Sequence, residues 1–521
     1  MAQASGGAAL EGAATADTSL DSRPGTHSTS IPQRPERQRR GRVRLEGRTF
    51  VDDGGPFLAT GATLFWALWG YQNDRARLEA NLDYLARTGA IDYIRVLGTV
   101  GGGGWSDRAV DARADGWQDA VAGLTDLAYD RFGLRLQWTL FGELHFAPTP
   151  ADRVAAVDRL LKAIRGREHK VVLIETANEA WHTGFDGERG LAELRALTRR
   201  LNQGTDVLVA ASSNHDSPEL FCRTYAGGIA DVATIHLDRA VGASEGPWRP
   251  VAQPWTYPGV FPCRDLPPAI SNEPIGPYSS VAADSEPARL VAQVVAAHIA
   301  GFPASVVHAG PGIYGGGEGG RERGRPANLW EAESLTETLR GLAAVKALLP
   351  PDLPQWTREP AASPRAPFTV DLLRSTSLPL GRTGAPGAGG AGRAGGQGAV
   401  GAFSGTSGSE AVTLVFGIRR QVDLTARRPM SVELVRLPGG VVVERKSLGE
   451  GETLRLDEAK GAWVILSDHA RRAARDGRFL LLTRTRSARP PFSSSPDGIA
   501  SPSSSAQRSD RTRRPRRASG D

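Results

Sequence analysis

The sequence predicts an α/β chain: a (β/α)8 TIM barrel followed by a small antiparallel β-sandwich domain, with disordered termini. Three observations predict it. Between about residues 43 and 350, short apolar β-rich runs alternate with amphipathic stretches, the pattern of repeated βα units on a parallel sheet. Eight such runs fall within roughly 300 residues, the span of one barrel. After residue 350 the runs are short, separated by turn residues, and no helical stretch lies between them.

The eight strands are expected at 57–65 (FLATGATLF), 92–98 (DYIRVLG), 134–141 (LRLQWTLF), 170–177 (KVVLIETA), 206–212 (DVLVAAS), 231–237 (DVATIHL), 268–272 (PAISN) and 304–309 (ASVVHA). They are rich in Val, Ile, Leu and Ala, with polar residues entering at the C-terminal end, as buried parallel strands are. Helices are expected at 74–88, where Leu78, Leu82 and Leu85 recur at helical spacing, and at 149–165, where Pro150 stands near the start. Further helical stretches span 187–201, 285–300 and 329–349. Residues 242–265, with Trp248 and Trp255, read as a loop over the barrel mouth. A doubly wound open sheet is the structural alternative. Its phosphate-binding signals are missing: no GxGxxG opens a helix after the first strand, and no GxxxxGK[ST] occurs. Gly101–Gly104 has no following Lys-Ser/Thr and reads as a flexible loop.

Beyond the barrel, β-type runs at 411–417, 431–437, 441–446, 453–456 and 462–466 make the second domain, with Pro438-Gly439-Gly440 as a hairpin turn. The domain plan is therefore a disordered segment over 1–42, the barrel over 43–350, a β domain over 351–470 carrying a Gly-rich insertion at 381–408, and an Arg/Ser/Pro-rich tail over 471–521.

The formal charge is +6, but residues 470–521 hold thirteen Arg against four Asp. That tail outweighs the whole net charge, so the rest of the chain is net acidic and nucleic-acid binding by the folded part is unlikely on charge grounds. Binding of an anionic partner through the tail alone remains a separate reading. No run of about 18 apolar residues marks a membrane span. The N-terminus lacks the apolar core of a signal peptide, which leaves the compartment cytoplasmic or reached by an unrecognised route. Cys222 and Cys263 are the two cysteines; they make neither a disulfide framework nor a zinc set, and whether they pair is open.

Barrel active sites lie at the C-terminal ends of the strands. Strand four ends in ETANEAW (175–181) and strand seven in ISNEPIG (270–276). Two carboxylates, Glu179 and Glu273, thus emerge across one mouth. Glycoside cleavage needs such a pair: an acid to protonate the leaving oxygen and a second carboxylate for the anomeric carbon. Asn178 is placed to donate to the neighbouring sugar hydroxyl. Trp181, Trp66, Trp69, Trp105, Trp138, Trp248 and Trp255 are expected near the mouth, where indole faces suit sugar C–H faces. Core packing is the competing reading for any one of them.

E-x-x-N-E at 175–179, with a second Glu closing strand seven in E-P-I-G, resembles the cellulase-like glycoside hydrolases of clan A, especially family 5. The resemblance covers about residues 45–350. It implies Glu179 as acid/base, Glu273 as nucleophile, Arg95 as support for the nucleophile and His236 as a substrate-site residue, with His145 a further candidate at the mouth. It also implies a retaining hydrolase of a β-glucan, mannan or related glycoside, an oligo- or polysaccharide substrate, and no cofactor. Three departures stand out. Ala180 follows the acid/base where Pro is usual. His236-Leu237-Asp238 replaces His-x-Tyr, leaving Tyr257, Tyr278 or Tyr314 to support the nucleophile. His308-Ala-Gly-Pro replaces the strand-eight Trp platform.

The bland readings compete with these. Glu179 and Glu273 could each be a rim ion pair. Glu175 is expected to be structural, in a buried pair with Arg95, so that Arg95 serves either Glu175 or Glu273. His145, His215, His236 and His308 all fall near the mouth, but no HxH or HExxH occurs, which disfavours a metal hydrolase. A barrel that binds carbohydrate without cleaving it is the alternative function. The β domain shows no exposed aromatic ladder, Trp463 being the only Trp in its β-type runs, so covering the barrel is favoured over binding sugar.

Overall fold

The computed structural model describes residues 40–213, 217–237, 246–260, 263, 265–280, 284–371, 401–418, 421–456 and 461–467. The expected disorder of the terminal segments, and most of the Gly-rich insertion, lie outside these residues, as does His215.

Eight parallel strands form the barrel: β1 (Ala59–Thr63), β2 (Tyr93–Thr99), β3 (Arg135–Phe141), β4 (Val171–Ala177), β5 (Val209–Ser212), β6 (Ala233–Ile235), β7 (Ala269–Ser271) and β8 (Ala304–Val307). The ladder runs β5-β4-β3-β2-β1-β8-β7-β6. Each strand lies within the run its apolar composition predicts, except that β2 runs one residue further, to Thr99. The seam between β5 and β6 is closed by backbone bonds from Asp231 and Val232 to the Val209 carbonyl. A buried tyrosine reinforces it. The Tyr225 hydroxyl accepts from Ser212 N at 3.2 Å and Thr234 N at 3.0 Å and donates to Ser212 O at 2.9 Å, and burial pushes its pKa up to about 12.

The longer helices, of eight residues or more, are α1 (Arg75–Thr88), α2 (Trp117–Asp126), α3 (Pro150–Ile164), α4 (Gly187–Gly204), α5 (Pro218–Tyr225), α6 (Arg249–Val260), α7 (Pro287–Ile299) and α8 (Glu333–Lys346). Leu78, Leu82 and Leu85 bury the inner face of α1, which ends on Gly89 in the left-handed conformation that glycine adopts without strain. At α3, Thr149 and Asp152 form a reciprocal capping box ahead of Pro150. Below the barrel, strands Arg44–Glu46, Thr49–Asp52 and Gly55–Phe57 form a meander whose Phe50 and Phe57 close the bottom of the lumen. Asp52 is ion-paired there with the buried Arg135 at 2.9 Å.

Nine strands follow: β9 (Thr357–Pro360), β10 (Phe368–Asp371), β11 (Gly401–Ser407), β12 (Glu410–Ile418), β13 (Val422–Ala426), β14 (Met430–Arg436), β15 (Val441–Leu448), β16 (Thr453–Leu456) and β17 (Gly461–Ser467). They make a six-stranded sheet, β9-β11-β12-β17-β14-β15, and a three-stranded sheet, β10-β13-β16, all antiparallel. The period-2 alternation of β12 explains how the larger sheet works. Val412, Leu414 and Phe416 join the barrel's core, whereas Val415 faces the sandwich core with Leu424 and Ile465. Strand β12 is apolar on both faces because both are covered.

Two expectations are corrected. Residues 401–407, expected inside the flexible insertion, form β11; their glycines permit close packing, since a Cβ on Gly401 would lie 2.2 Å from the Phe416 ring. The expected loop at 242–265 contains α6. Its flanking Trp248 packs on Phe416 and its Trp255 stacks on Phe403 at 4.6 Å, so both serve the β domain and not the mouth. Cys222 of α5 and Cys263 form a disulfide.

Candidate active site

Side chains of a strand alternate between the lumen and the helix layer. In β2 and β3 the odd positions face inward, which brings Arg95, Gln137 and Thr139 into the lumen, all fully buried. Arg95 is the hub. It donates to Glu273 Oε1 at 2.7 Å, Glu175 Oε2 at 3.0 Å, Asn178 Oδ1 at 2.6 Å and Thr139 Oγ1 at 3.3 Å. Its guanidinium also lies 4.9 Å over the Phe65 ring. Burial opposes its charge, but the carboxylates of Glu175 and Glu273 more than offset that, and its pKa is raised. The choice between Glu175 and Glu273 as its partner is thus resolved: Arg95 holds both.

Glu175 is the anchor of this network. Its carboxylate also accepts from Thr139 at 2.7 Å and from Asn272 at 2.9 Å, and Asn272 is itself oriented by Gln137 at 2.8 Å. A carboxylate buried this deeply needs such a set of donors.

Glu179 follows two residues after β4 ends. It sits in the left-handed region at φ 40°, unusual for a non-glycine residue and found chiefly where function holds it. The surrounding turn fixes it. Ala180 N donates to Ser212 Oγ at 3.0 Å, His182 N donates to the Glu179 carbonyl at 2.7 Å, and Thr183 Oγ1 donates to the Asn178 carbonyl at 2.9 Å. The turn brings the carboxylate back to His236, whose Nδ1 lies 2.9 Å from Glu179 Oε1 and whose Nε2 lies 3.5 Å from Glu273 Oε1. One oxygen of Glu179, one ring nitrogen of His236 and one oxygen of Glu273 all lie within 4.8 Å of one another.

Glu273 is held on its other oxygen as well. His308 Nε2 stands 3.6 Å from Oε2, and His308 Nδ1 meets Thr63 Oγ1 at 2.9 Å. The sequence marks His308 as one of four histidines near the mouth, standing where an aromatic platform is usual. The signal that would have found it is parity: Ala304, Val306 and His308 alternate inward on the strand beside β7. Gly276 permits the close approach of this strand end, because a Cβ there would meet the His308 carbonyl at 1.8 Å.

Glu179, Glu273, Arg95, Asn178 and His236 therefore converge on one point. Trp181 is half-buried on the same turn, its ring beside His182. His145 is exposed on the loop after β3. Two expected mouth residues are core instead. Trp138 has outward parity, is 0% exposed and donates to Thr125 of α2 at 3.2 Å. Trp66 is also 0% exposed; its indole donates to Pro311 O at 3.0 Å beneath the Arg77 guanidinium. Trp105 stacks on Tyr314 at 5.7 Å and neighbours Phe65. Tyr314 accepts from Arg323 at 2.9 Å, Tyr278 is exposed, and the side chain of Tyr257 lies outside the described residues.

Two carboxylate oxygens and an imidazole nitrogen are also a metal-ligand set in type. Here Arg95 already donates to Glu273, so a divalent cation at the three atoms would sit beside a buried guanidinium. The arrangement suits proton transfer and nucleophilic attack without that repulsion. Among the described residues no helix is long and apolar enough to cross a membrane.

No family model and no curated protein sequence matches the chain. Solved structures do. One, described as a glycoside hydrolase, is 12% identical, with a TM-score of 0.55, over 83% of this chain and 98% of that one. Another, a glycoside hydrolase family 5 from Bacteroides vulgatus, is 13% identical, with a TM-score of 0.55, over 83% of this chain and 95% of that one. At such identities the likeness is one of fold, and the chain is a (β/α)8 barrel with an appended β-sandwich similar in architecture to these two structures.

Proposed function

We propose that the chain is a retaining glycoside hydrolase, with Glu273 as nucleophile and Glu179 as acid/base, acting on a β-glucan, mannan or related glycoside. The approach of the two carboxylates to within 4.8 Å carries this reading. Retention requires about 5–5.5 Å between them, whereas inversion needs room for a water at about 6.5–9.5 Å. The similar solved structures named as glycoside hydrolases support it.

In the first step Glu273 attacks the anomeric carbon while Glu179 gives its proton to the departing oxygen. In the second, Glu179 takes a proton from water, the water oxygen bonds to the anomeric carbon, and Glu273 is released. Arg95, which donates to Glu273 Oε1 at 2.7 Å, favours the ionised nucleophile and aims it. Arg95 also claims Asn178 Oδ1, which leaves the Asn178 amide N–H groups for a sugar hydroxyl. His236 touches both carboxylates, so the charge that moves from Glu273 and the proton that moves from Glu179 pass beside one imidazole.

The test is Glu179→Gln and Glu273→Gln on a panel of aryl glycosides. Glu273→Gln should lose turnover by orders of magnitude on every substrate. Glu179→Gln should lose far less on leaving groups that need no protonation. The first-formed anomer, read by NMR, should keep the substrate's configuration. Near wild-type turnover in both variants, or inversion, refutes the proposal. The complete burial of His308 where an aromatic platform is usual favours a second reading, a barrel that binds sugar without cleaving it. Binding with no aglycone release across the panel would establish that reading.

A further inference from the structure

The β domain holds a cavity of about 750 Å³, within the usual range for small-molecule sites. It lies at the end of the sandwich where β9 begins, β11 turns into β12 and β13 leads into β14. Its walls include Trp356, Glu359, Arg365, Thr406, Arg427 and Arg428.

Two features of the walls point to a ligand. Trp356, 5% exposed, has an indole N–H with no partner among the described residues, and so has Arg427 at its Nε. Both groups can only donate, so whatever completes them must accept, and because both nitrogens are closed to solvent the wall must open to admit it. The second feature is charge. Arg428 donates to the Ser409 carbonyl, and none of Arg365, Arg427 and Arg428 is ion-paired with a described residue. Against these three cations stand Glu359, which accepts from the Ser363 hydroxyl, and Asp352. Unmatched donors and a surplus cation call for an anionic ligand. The two wall carboxylates call for hydroxyl groups on it and disfavour a compact, multiply charged ion.

We infer that this cavity is a second binding site, for a hydroxyl-rich ligand bearing a carboxylate, a uronate-containing saccharide. The choice of a saccharide rests on the glycosidase reading; the choice of an anion rests on the donors alone. The site is built from polar pocket walls and owes nothing to an exposed aromatic ladder.

The test uses the full chain carrying Glu273→Gln, so that no ligand is turned over. Calorimetric titration compares an aldobiuronic acid, its carboxyl-reduced neutral counterpart and inorganic phosphate. The acid should bind at least tenfold more tightly than the other two. Trp356→Phe, which removes the N–H together with the pyrrole half of the indole, and Arg427→Gln should each weaken it at least tenfold. Arg427 is half-buried at a turn, so its variant keeps the test open should Trp356→Phe fold poorly. No binding of the acid, equal binding of phosphate, or unchanged binding in both variants overturns the inference. In the chain that retains Glu273, both variants should hydrolyse a small aryl glycoside at the unmodified rate. Absence of all hydrolysis there would count against the glycosidase reading and leave the titration to decide the second site.

Discussion

Replacing Arg95 by methionine tests the network that unites the site. The side chain is similar in length, so the change removes charge and hydrogen bonds more than volume. Arg95 donates to two carboxylates, Glu273 at 2.7 Å and Glu175 at 3.0 Å, and both are buried. Breaking a buried pair from one side typically costs about 3–5 kcal/mol, because the remaining charge stays desolvated. Here two charges are stranded, though Glu175 keeps Thr139 and Asn272 and Glu273 keeps its histidine neighbours. The expected loss is therefore about 4 kcal/mol at pH 7. Its sign with pH is fixed. A carboxylate buried without its cation is driven to protonate, so its folded pKa rises above the unfolded one, and the folded variant gains stability as pH falls. The gap between variant and parent should narrow between pH 7 and pH 5. Urea denaturation of both at each pH measures it, and titrations shared by the two proteins cancel in the difference. A loss below about 1 kcal/mol, or one that widens toward acid, would refute the account of Arg95 as the charge that holds Glu175 and Glu273.

Three further outcomes are expected. Burial, slightly offset by a bond to the Phe302 carbonyl, pushes His298 down to about 4. Its folded pKa lies below the unfolded one, so stability is lost as pH falls from about 7 to 4, by at most about 3 kcal/mol, and His298→Gln should flatten that part of the pH–stability curve. Tyr225→Phe should cost about 1–3 kcal/mol in thermal or urea unfolding by unstitching β5 from β6, with the helix layer and circular dichroism unchanged. Reducing the Cys222–Cys263 bond, which closes a separation of 41 residues, should cost about 3–4 kcal/mol, read as a lower unfolding midpoint in the presence of a reductant.

Much of this molecule is legible in the chain itself. Strand and helix periodicity is local, so the eight barrel strands and the capped helix at Pro150 could be placed from neighbouring residues alone. Strand-end position then singles out Glu179 and Glu273, with Asn178 beside them, because the C-terminal rim is where a parallel barrel exposes polar groups, whereas Arg95 and His236 are implied by the resemblance to clan A glycoside hydrolases. Direction is less legible. Proximity in sequence puts Trp138 and Trp66 at the mouth, yet a strand sends adjacent residues to opposite faces, and Trp138 falls on the helix side. No local pattern places Trp248 and Trp255, because the surface that covers them, Phe403 and Phe416, lies about 150 residues away in sequence.

The sequence by itself determined the order and kind of elements and brought forward Glu179 and Glu273 as the candidate carboxylates, since each follows from spacing over a few residues. Only the closed barrel decided that one arginine grips both Glu175 and Glu273, that His236 lies between Glu179 and Glu273, and that His308 stands near the second oxygen of Glu273. The reason is physical: these contacts join residues from β2, β4, β7 and the ends of β6 and β8. Their separations of a few ångströms exist once loop closure around the whole ring has been completed, and no local pattern encodes them.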